Sequence, residues 1–263
     1  MKVDAVLKLG GSCITVKDKP FTLHEEGLNA TVRAVSRFLS SGSKLLLVHG
    51  GGSFGHYVAS SLGREGASYG SREASMIHLA MRLLNSKVVL QLTNLGVPAV
   101  GVPAMFLYKF KKDSLECFNL NLLEALLEGS VIPVTHGDVV QTDEGGFQVL
   151  SGDKISCHLA EFFHAERVIF AIAVPGVYLD KPDGRRFLKE IKRDELPEMI
   201  SRLSKRAKAR VDVTGGLAGK LLEVQNLLER CPWMEVYIVS GLDEESVFSA
   251  LSGKLLRGTL IYA

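Results

Sequence analysis

Nine residues, V-H-G-G-G-S-F-G-H from Val48 to His56, follow the apolar run Leu45, Leu46, Leu47 and lead into a helical pattern. Three glycines therefore sit where a strand turns into a helix. A turn without Cβ atoms lets backbone N–H groups converge on an anion, and the following helix adds the partial positive charge of its first turn. His56 stands at the far end as a side-chain donor. Glycine pairs also make ordinary turns, so this turn alone leaves both readings open. Lysines accompany two further glycine-rich turns. Lys8 closes an apolar segment directly before Gly10, Gly11 and Ser12, and Lys17 lies in the loop beyond. Lys220 follows Thr214, Gly215, Gly216, Leu217, Ala218 and Gly219, near the start of a later helix. A lysine at a strand end also fits a side chain that snorkels to the sheet edge, and Lys17 by itself reads as a surface residue. Neither K-L-G-G-S nor D-V-T-G-G-L-A-G-K matches the G-x-x-x-x-G-K-[ST] phosphate loop, and the G-x-G-x-x-G spacing of a dinucleotide fold is absent. The chemistry within reach of these residues is the holding of phosphate groups.

Such turns need a frame, and the apolar pattern supplies one. Ala5 to Leu9, Lys44 to His49, Ala99 to Val102, Val131 to Thr135, Val168 to Ala173 and Val236 to Ser240 are rich in Val, Ile and Leu, as strands buried on both faces require. Between most of them lie stretches with apolar residues at three and four spacing: Leu28 to Leu39, Ala74 to Leu95, Leu120 to Leu127, Lys154 to Phe163, Leu217 to Leu228 and Glu244 to Leu251. This alternation predicts an α/β fold, a mainly parallel open sheet sandwiched between helices. Val139 to Thr142 and Phe147 to Leu150 flank Asp143, Glu144, Gly145 and Gly146 and read as an inserted β-hairpin. Lys181 to Arg186 and the basic run Lys205 to Arg210 are the expected mobile loops.

Composition narrows the function classes. The 263 residues are 46% hydrophobic and 23% charged, enough for one large domain or two closely joined lobes. A net charge of +2 gives no field that demands nucleic acid or an anionic membrane, and no aromatic residues interleave the run from Lys205 to Arg210. Cys13, Cys117, Cys157 and Cys231 form no C-x-x-C pair, which fits reduced thiols inside a cell better than zinc or disulfides. The longest apolar run stops at Pro175, far short of the ~20 residues of a membrane span. The expectation is a soluble, cytoplasmic protein that binds neither nucleic acid nor membrane.

K-L-G-G-S at Lys8 to Ser12, H-G-G-G-S-F-G-H at His49 to His56, H-G-D-V at His136 to Val139, S-G-D at Ser151 to Asp153 and D-V-T-G-G at Asp212 to Gly216 with Lys220 together resemble the amino acid kinase superfamily over nearly the whole chain. Within it the chain is most similar to the isopentenyl phosphate kinases, and His56 is the residue that carries that finer likeness. The resemblance implies transfer of the γ-phosphoryl of ATP to isopentenyl phosphate, with Mg²⁺, in isoprenoid precursor synthesis. It implies one domain over 1–263, with an N-terminal lobe, 1–165, for the acceptor and a C-terminal lobe, 166–263, for the nucleotide, in a homodimer. Lys8, Leu9, Gly10, Gly11, Ser12, Gly52, Ala173, Gly216 and Lys220 would then meet ATP. Gly51, Gly152 and His56 would fix the acceptor phosphate. Lys17 would stabilise the transferring group, and Asp153 would orient the lysines, unless it is merely the N-cap of a helix beginning at Lys154. No protein metal ligands are expected. Two unit charges ~4 Å apart repel by roughly 4 kcal/mol at an effective dielectric of ~20, so cations and N–H donors must be gathered around two facing phosphates.

An acceptor with a five-carbon tail needs an apolar wall, for which Ile77, Met81 and Leu84 are the candidates; burial of that tail is worth roughly 4 kcal/mol. The remaining histidines, His24, His49, His78, His136, His158 and His164, read as structural or exposed. One departure from the superfamily pattern stands out. Where T-D-V-D-G is usual, this chain has Ile172, Ala173, Val174, Pro175 and Gly176, so a nucleotide contact there must use backbone groups, and an altered nucleotide preference or weaker ATP binding follows. Two other readings remain open. One is a kinase of the same fold acting on another small anion, such as a phosphonate or a nucleoside monophosphate. The other is a nucleotide-binding homologue without turnover, against which the retention of Lys8, Lys17 and Lys220 argues.

Overall fold

Side chains alternate along the first strand, β1 (Ala5–Leu9), and that alternation places the chemistry. Ala5, Leu7 and Leu9 join the core on one face of the sheet, whereas Val6 joins the core on the other, the side that Lys8 shares. The computed structural model describes residues 1–63, 68–112, 114–178, 187–207 and 216–263. Further strands are β2 (Leu45–His49), β3 (Ala99–Gly101), β4 (Tyr108–Lys111), β5 (Ser114–Cys117), β6 (Ile132–His136), β7 (Asp138–Gln141), β8 (Phe147–Leu150), β9 (Arg167–Ile172), β10 (Glu190–Lys192), β11 (Glu235–Ser240) and β12 (Thr259–Tyr262). The helices are α1 (Gly11–Ile14), α2 (Glu25–Leu39), α3 (Gly52–Ser61), α4 (Ser71–Asn94), α5 (Asn121–Glu128), α6 (Gly152–Phe162), α7 (Leu196–Ala207), α8 (Gly216–Arg230) and α9 (Glu244–Leu251).

Among the described residues, eight strands form one sheet in the order β10-β12-β11-β9-β1-β2-β6-β3. Its strand pairs are parallel except β11 with β12. One face is covered by α2, α4 and α9 through Leu28, Val32, Leu84, Val88 and Val247. The other is covered by α5, α6 and α8 through Leu123, Ile155, Leu159, Leu221 and Val224. Because β1 pairs with β2 on one side and β9 on the other, the chain switches direction across the sheet beside β1. Open α/β sheets present their ligand crevice at the strand carboxyl ends of such a switch.

The parallel sheet between helix layers, and the hairpin β7–β8, match the sequence-based expectation. Several boundaries move. Pairing of His49 with His136 draws β6 one residue past the expected Val131 to Thr135. The periodic pattern did not anticipate α7, the β4–β5 pair, the edge strand β10 or its neighbour β12; these short strands depend for their extended form on pairing with neighbours rather than on their own composition. Lys205 lies in the last turn of α7, which runs to Ala207, rather than starting a loop. The expected loop Lys181 to Arg186, the residues Lys208 to Arg210, and Asp212 to Gly215 of the third glycine turn lie outside the described residues. No described helix is long and apolar enough to cross a membrane.

Candidate active site

Lys8 leaves β1 on the face covered by α6 and α8, and those helices bring Asp153 and Lys220 to it. Lys8 Nζ and Lys220 Nζ both donate to the same carboxylate oxygen, Asp153 Oδ1, at 2.9 and 2.7 Å. Both lysines are buried, at 8% and 5% exposure, too deep to be surface charges. The Lys220 ammonium also lies 4.3 Å above the ring of Phe170. Burial alone disfavours the charged carboxylate, yet Lys220 and Lys8 outweigh it and hold Asp153 below the ordinary carboxyl range. Burial pushes Lys220 down to about 8, with Lys8 adding to the fall and Asp153 opposing it. Two cations sharing one anion leave a net positive charge.

The helix that carries Asp153 begins earlier than Lys154. Its cap is Ser151, whose Oγ accepts from Lys154 N at 3.1 Å, so Asp153 sits in the first turn and its carboxylate is spent on the two lysines. The N-cap alternative for Asp153 is therefore wrong: Ser151 already satisfies that donor.

The first two glycine turns interlock. A Cβ on Gly11 would lie 2.3 Å from Gly52 N, so the two backbones approach more closely than any other residue permits. Gly52 itself has φ +48° and opens α3 with Gly51 as its cap. Next along α3, a Cβ on Gly55 would meet Met81 Sδ at 2.5 Å, so this glycine of S-F-G-H exists to let α4 pack beside the turn.

A cleft of about 630 Å³, its open mouth included, runs along these elements. Its lining includes Lys8, Asp153, His56, Gly11, Gly51 and Gly152 together with the apolar Ala59, Ile77, Met81, Val149 and Leu150. Leu84, expected in that wall, is instead packed in the core against the sheet, because it lies one turn further along α4 than the cleft reaches. Behind Gly137 and Asp138, His78 Nδ1 donates to Asp138 Oδ2 at 2.8 Å, tying α4 to β7. His49 donates through Nδ1 to Gly50 O and accepts at Nε2 from Asn85 Nδ2. Burial pushes His49 down to about 4 and His136 down to about 3, so both imidazoles are neutral packing groups at neutral pH.

Not every expected site residue lines the cleft. Leu9 and Gly10 are buried at the end of β1, Ser12 is exposed on α1, Ala173 is half-buried after β9, and Gly216 opens α8 with φ +52°. Lys17 is exposed, in a loop closed by the Thr15–Leu23 bridge, with no ion pair among the described residues. That loop is clasped to the second glycine turn: Phe21 N donates to Ser53 O at 3.1 Å, and Ser53 Oγ donates to Thr22 O at 3.3 Å. Thr15 was not singled out from the sequence, Ser53 and Asp138 appeared only within their motifs with no role of their own, and His78, read as structural or exposed, is tied to Asp138. Only Gly55 carried a local signal of the packing around them, through its place in S-F-G-H.

The profile of the amino acid kinase family matches residues 5–240. The isopentenyl phosphate kinase of Haloferax volcanii is 38% identical over 223 residues, covering 82% of this chain and 85% of the relative. That of Methanothermobacter thermautotrophicus is 31% identical over 271 residues, covering 97% and 98%. A solved isopentenyl phosphate kinase structure superimposes with a TM-score of 0.80 at 28% identity, over 98% of this chain and 99% of its own.

Proposed function

The chain belongs to the amino acid kinase family, and from that premise we propose that it phosphorylates isopentenyl phosphate with ATP, giving isopentenyl diphosphate and ADP. The observation that carries this reading is the mixed lining of a single cleft. Lys8, Gly51, Gly152 and His56 are suited to a phosphate, and Ala59, Ile77 and Met81 in the same cleft are suited to a short hydrocarbon.

In this reading Lys8 and Lys220 neutralise the ATP phosphates, and Asp153 keeps both amines at one point in space. Gly11, Ser12, Gly52, Ala173 and Gly216 contribute backbone contacts on the nucleotide side, which belongs to the half of the sheet formed by β9 to β12. Gly51, Gly152 and His56 hold the acceptor phosphate on the other side of β1, and Lys17 meets the transferring group from its exposed loop. Phosphoryl transfer needs positioning and charge stabilisation more than covalent chemistry, and an ionised phosphate oxygen attacks without a general base. The cleft accordingly supplies cations and N–H groups.

Mg²⁺ would come with the nucleotide. Among the described residues no cluster of three His, Cys, Asp or Glu side chains is placed to hold a metal ion, and Asp153 already faces two ammonium groups. Magnesium is commonly held by substrate phosphates and water with few protein ligands.

A coupled ADP-release assay tests the function. With ATP and Mg²⁺, isopentenyl phosphate is expected to be turned over far better than uridine monophosphate, glutamate, carbamate or fosfomycin. Another acceptor better by tenfold or more would replace it. Because one methylene in an apolar pocket is worth only ~1–3 kcal/mol, related alkyl monophosphates are expected as weaker acceptors.

The protein is also proposed to work as a homodimer. The face of α4 turned away from the cleft presents Met76, Leu79, Leu83 and Leu90 to solvent at helical spacing, an apolar stripe that a second copy would bury. Sedimentation equilibrium is expected to return twice the 28.6 kDa of one chain, and a Leu79→Glu, Leu83→Glu double variant to return one. A wild type that sediments as a single chain would remove the dimer.

A further inference from the structure

Where the two glycine turns interlock, one side chain touches both. Thr15 Oγ1 donates to Gly11 O at 2.7 Å and accepts from Ser53 N at 2.9 Å. The residue is 1% exposed, so neither bond competes with bulk water. The fit leaves no slack: a Cβ on Gly52 would sit 2.1 Å from Thr15 Oγ1, and the Thr15 methyl would be 2.8 Å away. Thr15 also begins the bridge to Leu23 that closes the Lys17 loop. Three pieces of the site thus converge on one hydroxyl: the first turn, the second turn, and the base of the loop that carries Lys17.

We propose that Thr15 is a positioning residue for phosphoryl transfer, its hydroxyl fixing the spacing between the first glycine turn, which serves the nucleotide phosphates, and the second, where Gly52 serves the nucleotide and Gly51 with His56 the acceptor. This rests on the assignment of the two turns made above. The physical case is that, among the described residues, this hydroxyl bonds a backbone group on each turn, Gly11 O on the first and the buried Ser53 N on the second. Gly11 O and Ser53 N belong to segments remote in sequence, and the turns are held in contact rather than joined covalently. Without the hydroxyl, Ser53 N loses its partner inside the fold and Gly11 O keeps only its bond from Thr15 N at 2.9 Å, so nothing ties the two turns through this side chain and they relax apart. Thr15 touches neither substrate in this scheme. Its loss is therefore felt in the alignment of donor and acceptor, and a misplacement of about 1 Å costs on the order of 100-fold in rate.

Thr15→Val keeps the shape and removes the hydroxyl, while Thr15→Ser keeps the hydroxyl and removes the methyl. Thr15→Val is expected to lower kcat by about 10- to 100-fold, with KM for ATP and for isopentenyl phosphate within about threefold of wild type. Thr15→Ser is expected to retain kcat within about threefold. The proposal is overturned if Thr15→Val retains kcat, if its loss lies in KM, or if Thr15→Ser falls as far as Thr15→Val, which would assign the role to packing. Should Thr15→Val not fold, Thr15→Ala against Thr15→Ser makes the same comparison. Amide exchange in wild type tests the bond without any substrate: Ser53 N–H should be slow, and rapid exchange there defeats the proposal. If the wild type does not use isopentenyl phosphate but Ser53 exchanges slowly, it is the substrate assignment that has failed, and the split between kcat and KM is then read with whichever acceptor is turned over.

Discussion

Replacing Asp153 by alanine is expected to destabilise the folded protein by about 3–5 kcal/mol and to remove most of its activity, because it leaves two buried lysines facing each other without their shared anion. A urea or thermal unfolding series measures the first effect; a loss below about 1 kcal/mol would mean that the lysines find another counter-charge. Asp153→Asn separates charge from shape. It keeps the volume but not the anion, and since Asp153 is what raises the Lys220 pKa, Lys220 is expected to fall below its present value of about 8. The alkaline limb of the activity profile should then move to lower pH.

The sign of the stability effect follows from the two shifts. Asp153 titrates lower in the folded protein than its ordinary value of 3.8, so its contribution is complete above that value and fades as pH falls through the folded one. Lys220 behaves oppositely. Its folded value near 8 lies below the ordinary 10.5, so the unfolded chain binds more protons between those values and stability gains from Lys220 as pH rises across that window. Asp153→Asn is expected to flatten the acid limb and, by lowering Lys220 further, to extend its window to lower pH.

The second large effect belongs to His56. His56→Ala is expected to cut kcat/KM for isopentenyl phosphate by at least about tenfold, since one hydrogen bond to a charged group is worth roughly 1.5–3 kcal/mol, while ATP affinity stays near that of the wild type. Steady-state kinetics with acceptor varied, alongside calorimetric ATP binding, measures both. An equal loss of ATP affinity would put the imidazole on the nucleotide side. The asymmetry is what the cleft implies: His56 lines it together with Gly51, Gly152, Ile77 and Met81, whereas Lys220 reaches the site only through Asp153.

The frame of this molecule was legible locally. A run such as Ala5 to Leu9, apolar except for one lysine, suits a central strand, and six such runs, most of them separated by helical periods, leave few alternatives to a parallel sheet between helices. The glycine turns were legible for the same reason, since missing Cβ atoms at a strand-to-helix junction have few uses. The short strands β10, at the sheet edge, and β12 beside it were not, because their conformation is settled by their neighbours and not by their own residues.

What the amino-acid order determined by itself is therefore most of the central strands and the helices between them, and which strand-to-helix turns lack Cβ atoms. Tertiary structure decided the rest. Asp153 stands 67 residues from Lys220, and one of its oxygens bonds that amine and Lys8 together, a meeting arranged by α6 and α8 covering the same face of β1. Thr15 reaches Ser53 across 38 residues, Met81 fills the space beside Gly55, and Leu84 turns to the core instead of the cleft. The physical reason is one of range: periodicity and turn chemistry act over a few residues, whereas a charge cluster or a shared hydroxyl exists only after the sheet order has brought distant segments within a few ångströms of each other.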